Sequence, residues 1–199
     1  MSGFATLTGK IAVYAADHVD TDRIIPARFL SMVTRQGYGE LLFADIRDAS
    51  FPLDLPEAKG ATILVVGTNF GSGSSREHAV WAIQQAGYKV VIARREAESP
   101  GYSDIFRQNA ANCGLLLVEL DASEHAPFVA AGSGAEATVD LPNQTVTLGG
   151  TTYRFDIAPS LKEQIAAGLD LIGTTLVYEP QIAEYERSQT AFVPPRHAS

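Results

Sequence analysis

The feature that most constrains this fold is residues 61–67, an apolar run rich in β-branched side chains. Such side chains favour strands, and a strand without polar alternation has to be covered on both faces. A glycine-rich turn at 68–73 follows, and the next segment, 75–86, has a helical pattern that ends at Gly87. The order strand, turn, helix predicts a parallel sheet with helices on its faces.

The remaining elements extend this pattern. A first short strand is expected at 10–15, a surface loop at 94–101, and helices at 102–109, 122–131, 159–167 and 180–188. Further buried strands are expected at 89–93 and 114–120, with a hairpin signal at Pro142-Asn143-Gln144 between short apolar segments. We therefore predict one α/β domain over residues 1–199. Its sheet is mostly parallel, buried and flanked by helices, and an antiparallel appendage lies near 137–157. The end of the chain, 193–199, is expected to fray.

Composition excludes several classes of function. The chain has 15 basic and 23 acidic residues, a net charge of −8, which disfavours nucleic acid and anionic lipid as partners. No apolar run reaches the roughly 20 residues of a membrane span, and no secretory signal is evident, so a cytoplasmic location is expected. One cysteine, Cys113, cannot supply the three or four thiolates of a structural zinc or iron–sulfur site. We expect it to pack beside a buried strand and expect no metal on this chain.

Residues 67–79 are the segment most typical of a binding or catalytic site. The turn brings free backbone amides and the positive end of a helix together, which is a favourable place for an anion. Arg76 adds a guanidinium whose geometry matches a carboxylate. A purely structural alternative is equally compatible with the residues, because Ser74-x-x-Glu77 is also the pattern of a capping box.

Three better-known motifs do not match this segment. A dinucleotide-binding turn would need glycine where Arg76 stands, and no Gly-Lys-Ser/Thr triplet of a P-loop occurs in this region. The glycines next to Ser72 have the wrong spacing for a nucleophile elbow.

A second polar cluster occupies residues 18–26. His18, Asp20 and Asp22 lie within five positions, but nothing later in the chain completes a metal site with them. A turn in which aspartate and threonine bond their own backbone is the commoner explanation. Arg28 and Arg35 follow at loop positions, where solvated surface charges are usual.

Together these segments resemble the small subunits of 3-isopropylmalate dehydratases, in the aconitase superfamily. Residues 18–30 are similar to the opening of that family, and residues 69–79 to the signature of the superfamily's swivelling domain. The resemblance continues in three later blocks, at 104–116, 153–155 and 168–173. It implies a swivelling β/β/α domain in a heteromeric hydro-lyase of leucine biosynthesis, which is active only with its large subunit.

The same resemblance implies a mechanism. A partner large subunit holds a 4Fe–4S cluster that acts as a Lewis acid on the hydroxyl of a dicarboxylate substrate. A serine of the small subunit removes the proton next to a carboxylate. By the motif match, the catalytic residues are Ser74 and Arg76. Ser75, Arg35 and Gly73 are expected to bind substrate. The residues expected to support the site are Asp20, Asp22, Glu77 and His78.

Some positions depart from the family pattern. Ser72 stands where many family members have cysteine, the link at 94–103 is longer and more polar than usual, and Asn112-Cys113 replaces Asn-Asn. The loop at 34–39, which family members are expected to use for reading the substrate's side group, has Tyr38 in place of phenylalanine.

These departures leave the exact diacid open. Alternative substrates are methylmalate (citraconate), dimethylmalate and homoaconitate. An alternative of another class is a non-catalytic anion-binding module.

Overall fold

The computed structural model describes residues 3–32, 34–74 and 76–188. Val33 and Ser75 lie outside these ranges, as does the tail at 193–199 whose fraying was predicted. None of the helices in the described ranges is long and apolar enough to cross a membrane.

In the described part of the chain, seven strands form one mixed sheet in the order β4-β3-β2-β1-β5-β6-β7. The strands are β1 (Thr6–Tyr14), β2 (Ile63–Val66), β3 (Val90–Arg95), β4 (Leu116–Asp121), β5 (Glu136–Asp140), β6 (Thr145–Leu148) and β7 (Thr151–Arg154). Strands β1 to β4 are parallel, whereas β5, β6 and β7 are antiparallel to their neighbours. The predicted α/β class is confirmed.

The antiparallel strands are part of the main sheet rather than a separate appendage, because β1 joins the two halves. Its first half, from Thr6 to Lys10, pairs with β5, and its second half, from Ile11 to Tyr14, pairs with β2. This double pairing explains why β1 is longer than the predicted strand, which began at Lys10.

The helices are α1 (Thr21–Ile24), α2 (Glu77–Gln85), α3 (Asp104–Cys113), α4 (Ala122–Ala131), α5 (Pro159–Ala167), α6 (Leu171–Leu176) and α7 (Glu179–Ser188). Alternate residues of β2 reach two different cores: Leu64 and Val66 pack with α2 and α3, whereas Ile63 and Val65 pack with α4 and α5. Side chains of a strand point alternately to opposite faces. The prediction that this strand is buried on both sides is therefore confirmed.

Element bounds differ from expectation mainly where caps decide them. Helix α3 begins after Ser103, whose hydroxyl accepts a hydrogen bond from Phe106 N, and it ends at Gly114 in the left-handed region. It therefore runs later than predicted and includes Cys113, which the sequence placed beside a strand. The short helices α1 and α6 were not predicted, since one or two turns give too little periodicity.

Candidate active site

Three loops continue beyond the carboxyl ends of β1, β2 and β3 and run side by side. The middle one is the glycine-rich turn, residues 67–74. Residues 17–22 lie along one side of it. The two are joined by hydrogen bonds from His18 N to Thr68 O (2.9 Å), Gly71 N to Val19 O (2.7 Å) and Thr21 N to Ser72 O (2.8 Å). The two segments that stood out in the sequence therefore form one structure at the carboxyl edge of the parallel strands, where α/β proteins usually bind ligands.

The other side of the turn is held by the link between β3 and α3. Asn69 N donates to Pro100 O at 2.9 Å and Phe70 N donates to Gly101 O at 2.8 Å. The sequence predicted a surface loop at 94–101. That prediction is wrong at both ends, because β3 continues to Arg95 and Gly101 is buried against the turn.

Two residues of these loops have strained backbone, as do Phe43 and Gln144 elsewhere in the described chain. His18 and Asn69 both adopt positive φ, 54° and 51°, which costs free energy in residues with a Cβ. Their side chains meet at 3.2 Å between His18 Nδ1 and Asn69 Nδ2. Gly71, with φ of 75°, leaves no space for a side chain, since a Cβ would lie 2.3 Å from Phe106 Cγ. Sparsely populated conformations of this kind are over-represented at functional sites.

Ser74 is exposed, at the end of the turn and just before α2. Its carbonyl oxygen accepts a hydrogen bond from Thr21 Oγ1 at 2.9 Å. The capping-box alternative has the wrong register: it needs Glu77 at the third helical position, whereas Glu77 is the first residue of α2. The predicted substrate-binding residue Gly73 is also exposed, and Ser75 lies outside the described residues.

Arg76 occupies the N-cap position of α2, and its side chain is only 17% exposed. Its Nη1 forms an ion pair with Asp22 Oδ1. Asp20 has a different task, since its Oδ1 accepts from Arg23 N at 2.7 Å and caps α1. The structure thus brings Arg76, Asp22 and Ser74 together and uses Asp20 to hold the helical turn beside them.

Arg35 lies at the same end of α2, on its outer side. Its guanidinium stacks over Trp81 at 4.2 Å and its Nη2 is 3.4 Å from Glu77 Oε1. Both residues line a cleft of about 770 Å³ that continues along Leu169 and Ile172. Arg35 is therefore close to the start of α2, but its cation is shared with Glu77.

Glu77 also accepts a hydrogen bond from the Cys113 thiol, with 3.1 Å between Sγ and Oε1. Burial, together with the hydrogen bond and the charge of the Glu77 carboxylate, raises the pKa of Cys113 to about 12. The thiol is therefore protonated, and Glu77 joins α2 to the end of α3.

His78 packs among aromatic rings rather than in the open cleft. Its ring centroid lies 4.5 Å from that of Trp81 and 5.4 Å from that of Tyr38. Burial lowers the pKa of His78, so the neutral imidazole predominates at neutral pH. This position favours the predicted supporting role, which stays a prediction.

The Gln85 side chain of α2 forms two hydrogen bonds with the backbone of the loop at 34–39. Gln85 Nε2 donates to Arg35 O at 2.6 Å, and Gln85 Oε1 accepts from Tyr38 N at 2.9 Å. Tyr38 is fully buried, so its ring stabilises the loop instead of facing a ligand.

A second cleft lies away from the glycine-rich turn. A cleft of about 1140 Å³ lies at the opposite, amino edge of β2 and β3, beside Thr62 and Tyr88. Within the described ranges, no group of three or more His, Cys, Asp and Glu side chains could hold a metal ion.

Sequence reasoning missed two residues of the site, Asp17 and Thr21. Asp17 Oδ1 accepts from Thr68 N at 2.9 Å, and its Oδ2 accepts from Arg94 Nη2 at 2.8 Å. Burial alone would raise the pKa of Asp17, but the bonds from Thr68 and Arg94 outweigh it and lower that pKa. The glycine at position 67 was the sequence signal that could have located this contact. The first loop approaches Gly67 so closely that a Cβ there would lie 2.2 Å from Asp17 Oδ1.

Two family models match the chain. The model described as the aconitase C-terminal domain covers residues 1–123, more than half of the chain. A second, described as LeuD_N, covers residues 128–159. The first match includes all three loops of the site.

Curated relatives and a solved structure agree with these models. The chain is 38% identical to a 3-isopropylmalate dehydratase small subunit of Bacillus cereus and equally to one of Bacillus anthracis, each match covering 96% of this chain and all of the relative. The crystal structure of 3-isopropylmalate dehydratase (LeuD) from Methanocaldococcus jannaschii superposes with a TM-score of 0.67 at 29% identity, covering 92% of this chain and 99% of that one. This chain therefore belongs to the 3-isopropylmalate dehydratase small-subunit family of the aconitase superfamily.

Proposed function

We propose that this chain is the small subunit of a heteromeric hydro-lyase that interconverts 2-isopropylmalate and 3-isopropylmalate by dehydration and rehydration. The names of its relatives support this assignment. The observation that favours a catalytic role over passive anion binding is that Ser74, which bears a hydroxyl, is exposed next to the largely buried Arg76.

Ser74 is proposed to take the proton from the substrate carbon next to a carboxylate. A neutral serine hydroxyl is too weak a base for this step, so Ser74 has to accept the proton as its alkoxide, which becomes the hydroxyl. The surroundings have to stabilise that alkoxide. The amino end of the nine-residue helix α2 and the Arg76 guanidinium supply positive potential there. When the reaction runs in the hydration direction, the same hydroxyl returns the proton.

Arg76 is also proposed to bind a substrate carboxylate. Its ion pair with Asp22 uses Nη1, and a guanidinium has five donors in a rigid fork. Asp22 thereby orients the fork. Arg35, Gly73 and Ser75 stay predicted substrate contacts; for Arg35, binding a carboxylate would mean sharing or giving up its contact with Glu77.

The proposal requires a partner. The resemblance to the family implies a 4Fe–4S cluster on the large subunit, which would provide the Lewis acid that helps the substrate hydroxyl leave. The residues of this chain do not fit such a cluster, because it has one cysteine and that thiol is engaged with Glu77. The cluster is therefore proposed to lie on the large subunit. This chain is proposed to act as one domain, and its cytoplasmic location stays a prediction.

The test is reconstitution with the large subunit of the same organism, loaded with its cluster. Steady-state kcat/KM is measured for 2-isopropylmalate, citraconate, dimethylmalate and homoaconitate as separate substrates. We expect 2-isopropylmalate to be preferred. A clear preference for another diacid would reassign the substrate within the same chemistry. Absence of turnover on all four, with dicarboxylate binding retained, would favour the anion-binding module.

A further inference from the structure

Thr21 is a buried polar residue, 1% exposed, at the first position of α1. It donates two hydrogen bonds to the glycine-rich turn: its backbone N to Ser72 O at 2.8 Å, and its Oγ1 to Ser74 O at 2.9 Å. A buried hydroxyl has to find a partner, but a hydroxyl at the start of a helix could bond its own turn. Here it bonds the residue proposed as the base.

The two acceptors of Thr21 lie on either side of Gly73. Gly73 has φ of 94° and is exposed, so without outside contacts it would be among the most mobile points of the turn. Thr21 Oγ1 is also the nearest atom, at 3.5 Å, to the position of a Cβ on Gly73. Thr21 therefore hydrogen-bonds the turn on both sides of Gly73, its most flexible residue.

The helical turn that bears Thr21 is itself firmly held. Asp20 caps it, Ile25 N donates to Thr21 O at 2.9 Å, and both Ile24 and Ile25 are fully buried. The next residue in the turn, Asp22, forms the ion pair with Arg76. One buried helical turn thus fixes the backbone of Ser74 and the guanidinium of Arg76 relative to each other.

We infer that Thr21 is a positioning residue of the reaction: its hydroxyl sets the place of Ser74 relative to Arg76 without touching substrate. The inference rests on the proposed function. Displacing a reacting group by about 1 Å can cost on the order of a hundredfold in rate. Loss of the hydroxyl is therefore expected to act on kcat more than on substrate binding.

The experiment compares Thr21→Val, Thr21→Ser and Thr21→Ala with the wild-type chain, each reconstituted with the cluster-loaded large subunit. Valine keeps the shape of threonine and removes the hydroxyl, whereas serine keeps the hydroxyl. A matched control is Thr8→Val, which removes a hydroxyl bonded to Thr138 on the exposed part of β1. Thermal unfolding and affinity for the large subunit are measured for every variant.

We expect Thr21→Val and Thr21→Ala to lower kcat by roughly 10- to 100-fold with KM changed by less than about threefold, and Thr21→Ser and Thr8→Val to stay near wild type. Full kcat in a folded Thr21→Val would overturn the inference. So would failure of both hydroxyl-free variants to fold, since the role would then be structural. If the wild-type pair itself turns over no diacid, the proposed function fails instead, and the two failures are distinguished.

Discussion

At the scale of single residues, two ion pairs near the start of α2 join different elements. Arg76, the N-cap of α2, pairs with Asp22 on α1, and Arg35 on the 34–39 loop pairs with Glu77 on α2. Each pair is at least partly exposed, so its contribution to stability is small. The benefit of these pairs is orientation: they fix the direction of two guanidinium groups at the start of α2.

Alkylation of Cys113, the chain's one cysteine, directly tests the buried contact between its thiol and Glu77. Its pKa of about 12 predicts that alkylation at pH 8 is roughly a thousandfold slower in the folded chain than in urea. Glu77→Gln removes the neighbouring carboxylate and should speed the folded-state reaction. Equal rates in folded and unfolded chains, measured by mass spectrometry over time, would contradict the described environment.

Two glycines allow strain and steric overlap to be separated. Gly71 and Gly87 both have positive φ, but a Cβ at Gly71 would strike the Phe106 ring, whereas nothing lies within 4 Å at Gly87. We expect Gly71→Ala to lower the free energy of unfolding by about 3 kcal/mol or more and Gly87→Ala by about 1 kcal/mol. Urea denaturation measures both. Similar losses would show that Gly71 is not closely packed.

At the scale of elements, the site is an extension of the parallel sheet by loops. The turn after β2 is bonded on one side to the loop after β1 and on the other to the loop after β3. A loop between two such neighbours can hold strained backbone and an exposed serine in a fixed place, because its amides and carbonyls are bonded within the protein.

Asp17 makes the link between the first two loops dependent on pH. Its folded pKa is depressed, so its stabilising effect is complete above about pH 4 and is lost as the pH falls through the folded pKa. We expect Asp17→Asn to be less stable than wild type at neutral pH, with the difference shrinking below about pH 4. Thermal unfolding from pH 7 to 3 checks this.

The control for that prediction is Asp140→Asn. The pKa of Asp140 is also lowered, by hydrogen bonds from Asn143 in the β5–β6 turn. The stability lost in Asp140→Asn should shrink at acid pH in a similar way. By contrast, kcat of the reconstituted pair should fall for Asp17→Asn alone. A constant stability difference at every pH would show that the Asp17 carboxylate is not held as described.

At the scale of the whole molecule, the fold class followed from the sequence because the pattern at 61–67 is local and strong. The helices at Ala122–Ala131 and Pro159–Ala167 matched their predicted bounds, since an acidic N-cap, an early proline and terminal glycines mark them. What sequence could not provide was pairing at a distance. The contact of β5 with β1, and of Thr21 with Ser74, joins residues far apart in the chain.

The same limit applied to the site. Ser74, Arg76 and Asp22 were predicted as site residues by likeness and local chemistry, whereas Thr21 was interpreted as part of a polar turn that bonds its own backbone. Its hydroxyl instead reaches a carbonyl 53 residues later.

Since the proposed Lewis acid lies on the large subunit, we expect the isolated chain to show no isomerase activity, and addition of the loaded partner to restore it.

The central claim is that Ser74 accepts the substrate proton, and Ser74→Ala tests it most directly. The variant is reconstituted with the cluster-loaded large subunit and its kcat on 2-isopropylmalate is compared with wild type and with Ser123→Ala, an exposed serine on α4. The account predicts a loss of transition-state stabilisation of roughly 3 kcal/mol or more, at least about a hundredfold in rate, for Ser74→Ala alone. A folded, assembled Ser74→Ala pair with wild-type kcat would contradict it.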